Sequence, residues 1–254
     1  MKPYVLLTND DGIAAPGLFA LYKEIAKVAD VVVVAPDKER SAAGHSITIA
    51  NPLRVTDFEK NGSFFGHAVS GTPADCVKIA YYAILDRKPD AVISGINFGS
   101  NTGINIIYSG TVSAATEATF LEIPAFAISL TTYTNPFFDA AAEFARKFLP
   151  RILKNDLPPG TLLNVNVPNV PKDKIKGTKI TKHGNAIWID RYDKRSDPRN
   201  HTYYWLTGTR ADIDKSIEVD DGAIDKNYIS ITPIQFDLTN YAAMETMKNW
   251  QIDF

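Results

Sequence analysis

One cysteine, Cys76, and four histidines are all that the chain offers of the side chains that most often hold transition metals. A single thiol excludes an internal disulfide and a cysteine-built zinc site. No His-x-x-x-His pair is present to support zinc on a helix. Long apolar runs are missing too. Val31–Ala35 is among the longest, far short of the roughly 20 residues that a membrane-spanning helix needs. Neither sign of charge dominates: 27 Lys plus Arg stand against 29 Asp plus Glu, a formal net charge of −2. That argues against binding a nucleic-acid polymer, which draws on a broad basic surface. No apolar segment ending in small residues follows Met1-Lys2-Pro3-Tyr4, so no secretory leader is expected. With one thiol, the cytoplasm is the expected compartment. Neither the Gly-Lys-Ser/Thr phosphate loop nor the dinucleotide glycine fingerprint after the first strand is spelled out.

What is present is an ordinary globular composition: 254 residues, 45% apolar and 22% charged. The length allows one large α/β domain, or a domain with a smaller appendage. Short β-branched runs alternate with helical patterns. Tyr4–Thr8, Val31–Ala35, His67–Ser70, Ala91–Ser94, Ala125–Leu130 and Leu163–Val167 read as strands. Gly17–Ala29, Pro73–Leu85, Val112–Leu121 and Phe137–Leu153 read as helices. Cys76 falls inside the second of these helices and reads as a small buried hydrophobe. Strand then helix, repeated, predicts a Rossmann-like, mostly parallel sheet with helices on both faces. The expected division is a catalytic core over 1–170 and an extension over 171–254.

Beyond Gly177 the pattern changes. Thr178–Thr232 is polar and aromatic, with Trp188, Tyr192, Tyr203, Tyr204, Trp205 and Tyr228 in short alternating runs. It predicts an antiparallel extension of hairpins, followed by a closing helix over Tyr241–Trp250. Exposed aromatic hairpins of this kind either pair subunits or fold back on their own core; the first reading is preferred, and a homo-oligomer is expected.

Open parallel sheets bind ligands at the carboxyl ends of their strands. Those ends carry Asn9-Asp10-Asp11-Gly12, then Asp37-Lys38-Glu39-Arg40-Ser41, and then Gly95-Ile96-Asn97-Phe98-Gly99-Ser100-Asn101. An isolated Asp-Asp is an ordinary Asx turn. Here Ser41 and Asn97 stand at neighbouring strand ends. Two adjacent carboxylates repel unless a proton or a cation lies between them. Asp10, Asp11, Ser41 and Asn97 together form an all-oxygen set suited to a hard divalent cation. Ser109-Gly110-Thr111 precedes an apolar helix. Its hydroxyls and main-chain N–H groups suit an anion, although an N-cap uses the same residues. His45 shares the Ser41 loop and is a weak candidate acid, while His67, His183 and His201 read as structural or exposed.

Taken in order, these segments resemble the SurE family of survival-protein-E 5'-nucleotidases. The resemblance runs through Leu7-Thr8-Asn9-Asp10-Asp11-Gly12, Ser70-Gly71-Thr72-Pro73-Ala74-Asp75, Ser94-Gly95-Ile96-Asn97 and Tyr108-Ser109-Gly110-Thr111. It closes on Ile231-Thr232-Pro233 and so spans nearly the whole chain. It implies a metal-dependent phosphatase acting on nucleoside 5'-monophosphates, some members also taking 3'-nucleotides or short polyphosphate. It implies magnesium or manganese, held by Asp10, Asp11, Ser41 and Asn97, and a homodimer or homotetramer built through the C-terminal hairpins and helix. On this reading Asp10 and Asp11 are catalytic, and Asn101, Ser109, Gly110 and Thr111 hold the phosphate. The nucleoside is expected against the irregular loops or the hairpin aromatics. A phospho-aspartate mechanism is disfavoured, because it needs Asp-x-Asp and the two aspartates here are adjacent. The alternative from another class is a nucleotide-binding regulatory module without turnover.

Overall fold

Strand β1, Tyr4–Thr8, sends Val5 and Leu7 to one buried layer and Leu6 to the other. This is how a strand with helices on both its faces reads in sequence. The computed structural model describes residues 2–154, 157–185, 187–211 and 214–250. After β1 come α1 (Pro16–Ile25), β2 (Asp30–Pro36), β3 (Val55–Lys60), β4 (Ser63–Val69), α2 (Pro73–Ile79) and β5 (Ala91–Phe98). Next are α3 (Gly110–Phe120), β6 (Ala125–Thr131), α4 (Phe138–Lys154), β7 (Thr161–Pro168) and β8 (Thr178–Ile180). The chain continues through β9 (Ile187–Ser196), β10 (Thr202–Ala211), α5 (Asp220–Asp225), β11 (Ile229–Gln235) and α6 (Tyr241–Met247).

Nine strands form one sheet in the order β3-β4-β2-β1-β5-β6-β7-β11-β8. The run from β4 to β7 is parallel throughout. Leu18, Leu21 and Ile25 of α1 pack with Ala141, Ala145 and Leu149 of α4 on one face. Cys76 and Val77 of α2 pack with Val112, Ala115 and Ala118 of α3 on the other. Cys76 is wholly buried, as expected of a small hydrophobe. Strand order reverses between β1 and β5, the switch point where such sheets open a crevice.

Three elements depart from the sequence expectation. The helix expected over Pro73–Leu85 is regular only to Ile79. A wider, π-helical turn, Ala80–Ile84, then delivers the chain to Leu85. Only β9 and β10 form a ribbon of their own. β11 joins the main sheet, antiparallel to β7, and β8 lies parallel to β11. Short alternating runs specify strands but not their partners, and Ile229 and Ile231 are apolar enough to enter the core.

Helix α3 is buried all round from Gly110 to Thr119. Its small residues let it lie close to the sheet, and its hydroxyls satisfy themselves on the preceding turn. Ser113, Thr116 and Thr119 donate to the carbonyls of Ser109, Val112 and Ala115 at 2.7, 3.0 and 2.9 Å. Its one charge, Glu117, accepts from Lys78 Nζ at 2.9 Å and lies 3.0 Å from His45 Nε2.

Candidate active site

The loop after β1 turns at once. Gly12 holds φ +95°, a region closed to most side chains, and a Cβ there would lie 3.0 Å from the carbonyl carbon of Lys38. The turn packs against the loop after β2. The Arg40 N–H donates to the Asp10 carbonyl at 2.7 Å, and the Ile13 N–H to that of Pro36 at 2.8 Å. Asp10 and Ser41 are thereby brought to one rim.

Asp10 is almost fully buried. Its carboxylate accepts the Thr111 hydroxyl in a short hydrogen bond. Gly110 lies close beneath it: a Cβ there would be 2.8 Å from Cβ of Asp10. Asp11 accepts the Phe98 N–H at 3.1 Å through Oδ2, tying the end of β5 to the end of β1. Burial pushes Asp10 above the usual carboxylate range, with the Thr111 hydroxyl pulling it partly back. Asp11 is pushed up to about 7 by burial and then by the charge of Asp10, against the pull of the Phe98 N–H.

Asn97 donates its amide to the Gly99 carbonyl at 2.7 Å, which leaves its oxygen as an acceptor. Ser41 donates to Glu39 at 2.6 Å, so its oxygen too retains acceptor capacity. Two adjacent carboxylates, Asp10 buried and Asp11 half-buried, flanked by two neutral oxygens, fit a hard divalent cation. Among the described residues there is no group of three or more His, Cys, Asp or Glu placed to hold a metal ion.

Asn101 is held from all sides. Its N–H donates to Asn166 at 2.9 Å, its side-chain amide to Ser129 at 2.9 Å, and its carbonyl accepts from Asn164 and Asn166 at 2.7 and 2.9 Å. Ser109 caps α3 by accepting the Val112 N–H at 3.1 Å. Asp10, Ser41, Asn97, Asn101 and Ser109 line one open cleft of about 290 Å³. The half-buried Asp11 and the buried Gly110 and Thr111 are not part of that lining. The Thr111 hydroxyl proton goes to Asp10, where the sequence had offered it to a phosphate. His45 is drawn to Glu117 and stacks on Phe120, with ring centroids 5.5 Å apart.

Sequence reasoning missed the cleft's aromatic lining, Phe98, Tyr108 and Tyr133. Tyr133 follows β6, and extending the inventory of strand ends to β6 would have found it. The hairpin aromatics Tyr192, Tyr203, Tyr204 and Trp205 lie exposed on the ribbon. The side chain of Trp188 lies outside the described residues.

A family model described as Survival protein SurE matches residues 5–190. The 5'-nucleotidase SurE of Syntrophobacter fumaroxidans is 50% identical over 248 residues, covering 98% of this chain and 99% of that protein. That of Symbiobacterium thermophilum is 48% identical over 253 residues, with 98% and 99% covered. Among solved structures, the SurE protein from Aquifex aeolicus superposes with a TM-score of 0.84 at 39% identity, over 97% of this chain and 98% of that one. Similarity of this depth over the full length, on the same architecture, places the strand-end cleft in a known setting: the chain belongs to the SurE family of survival proteins.

Proposed function

We infer that the protein is a 5'-nucleotidase, hydrolysing nucleoside 5'-monophosphates to nucleoside and inorganic phosphate. The observation that carries this is near-half identity over the full length to proteins named 5'-nucleotidase SurE. The adjacent Asp10–Asp11 pair at the switch point is the group of residues suited to the work. As the finer part of the proposal, Asp10, Asp11, Ser41 and Asn97 hold one magnesium or manganese ion per subunit. When bound, such a cation neutralises the carboxylate pair, withdraws charge from a phosphoryl oxygen and acidifies water.

The chain's own groups do the rest. Asp10, fixed by the Thr111 hydroxyl, orients the attacking water and takes its proton. Asn101 and the 109–111 start of α3 hold the phosphate and offset its growing charge. Water oxygen bonds to phosphorus as the bond to the nucleoside O5' breaks, O5' leaves with a proton drawn from solvent, and Asp10 returns its own proton to solvent.

The test is phosphate release from AMP and GMP across a panel of cations and with chelator. Release that needs a divalent cation supports the whole reading. No release with any nucleotide and cation leaves the regulatory-module alternative standing. Phosphate trapped covalently on Asp10 would replace hydrolysis by water with a phospho-enzyme.

We also propose that the β9–β10 ribbon and α6 join copies of the chain into a homodimer or homotetramer. Support comes from Tyr204, Trp205, Leu238 and Trp250, all exposed, and from α6, which buries none of its residues. Sedimentation at micromolar concentration tests it, a monomer being the contrary result. No described helix is long and apolar enough to cross a membrane. The cytoplasm, a reducing compartment, suits a chain whose one thiol is free and buried.

A further inference from the structure

The cleft is mixed in character. Asp10, Ser41 and Asn97 share its lining with the rings of Phe98 and Tyr133. These rings meet edge to face, with centroids 6.4 Å apart and planes at 74°. Phe98 is fixed at its main chain by the hydrogen bond to Asp11, so the aromatic part of the lining is set at a constant reach from the carboxylate pair. Tyr133 rests against Gly99: a Cβ at that glycine would come within 2.6 Å of its ring. Even so, about two thirds of Tyr133 (68%) is exposed to solvent. A ring braced on one side and open on the other is a stacking platform.

The open side leads somewhere. A second cavity, of about 450 Å³, shares Tyr133 and Ser100 with the cleft. Its charged lining residues are Asp221 and Asp225. Carboxylates there repel a phosphate and favour a neutral group that carries N–H donors. Cleft and cavity together are of the size that encloses a small organic ligand.

We propose that Tyr133, with Phe98 at its edge, is the platform for the nucleoside base, whose outer edge faces the second cavity. The inference rests on the nucleotidase reading, and it names the residues that make a nucleotide a better substrate than a bare phosphomonoester. Every base has a π face, so the platform accepts all four bases.

The experiment compares AMP with glycerol phosphate, which shares the phosphoryl end and has no base. In Tyr133→Ala the KM for AMP should rise by between about 5- and 150-fold, the range of one base–aromatic stack. The kcat/KM ratio of AMP to glycerol phosphate should fall by the same factor. Tyr133→Leu, which fills the space against Gly99 without a π face, should show the same shift and guards against simple loss of packing. Tyr133→Phe keeps the ring and should restore the ratio. An unchanged ratio in both Ala and Leu variants, whether the two substrates decline together or not at all, overturns the platform and leaves the nucleotidase reading intact. Failure of the unaltered protein to release phosphate from AMP overturns that reading, and the platform with it.

Discussion

Asp10 and Thr111 are almost wholly shielded from water, whereas Tyr192, Tyr204 and Trp205 on the β9–β10 ribbon each hold more than half their surface in it. Both regions are unusual for their residue types, in opposite directions. At the carboxyl ends of the central strands, charge is buried and tied by hydrogen bonds to α3 and β5. On the ribbon, large rings are exposed and the strands pair only with each other. The first arrangement draws all its residues from one chain. The second leaves apolar surface that a further copy can cover. The proposed chemistry and the proposed assembly fall on separate parts of the fold, and substitutions should separate them.

The sharpest separation comes from Asp10→Asn and Asp11→Asn. Each removes a charge from the carboxylate pair, and turnover should fall by roughly a thousandfold or more. The melting temperature should not drop, because the change relieves repulsion between the two adjacent carboxylates. Steady-state rates at saturating cation, with thermal melts on the same samples, check both halves. Turnover near the unaltered rate in either variant removes the pair from the chemistry.

Thr111→Val comes next. It keeps the shape and deletes the donor to Asp10, leaving a buried carboxylate oxygen without that partner. A loss of about 1–3 kcal/mol is expected for a bond to a charged group, which is roughly 5- to 150-fold in kcat/KM. A lower melting temperature with normal kinetics would reduce Thr111 to a structural role.

Glu117 lies on the same helix, beyond the cleft. Burial raises its pKa, but the hydrogen bonds from His45 and Lys78 outweigh burial and hold the carboxyl below its ordinary value. A folded pKa below the unfolded one means that its stabilisation is full above the usual glutamate range, near pH 4.3, and is lost as pH falls through the folded value. Glu117→Gln should therefore lower stability at neutral pH by about 1–3 kcal/mol and lose this acid-side dependence. Denaturant melts at several pH values read it. Parallel curves for the two proteins would show that the ion cluster contributes nothing.

The smallest effect on the chemistry is expected on the ribbon. Tyr204→Ser with Trp205→Ser should shift sedimentation toward the monomer, while subunit stability changes by less than about 0.5 kcal/mol per site. Loss of turnover in proportion to dissociation would show that the cleft needs a partner copy after all.

The parallel strands were legible because burial on both faces writes continuous apolar runs, as in Val31–Ala35. The oxygen set was legible because sheet topology brings residues at neighbouring strand ends together whatever their distance in sequence. Three things were not legible. Where Thr111 donates its proton depends on an approach of α3 to β1 that no local pattern encodes. The end of α2 at a wider turn rests on packing, since Ala80–Ile84 is an ordinary helical sequence. The partners of β8 and β11 rest on long-range pairing, which alternation alone leaves open.

The last third of the chain also sets a timetable. Asp220, in α5, accepts the Gly103 N–H at 2.9 Å and the Gly184 N–H at 2.8 Å, and Gly103 opens the turn that runs into Ser109. A nascent chain that has emerged only as far as β7 already contains Asp10, Asp11, Ser41, Asn97 and Thr111, and the Gly44 N–H that donates to the Tyr108 carbonyl at 3.0 Å, but not the carboxylate that holds Gly103. On the ribosome, the start of the 103–108 turn gains its Asp220 anchor only once α5 has been made, so this loop beside the cleft receives its last hydrogen bond late in synthesis.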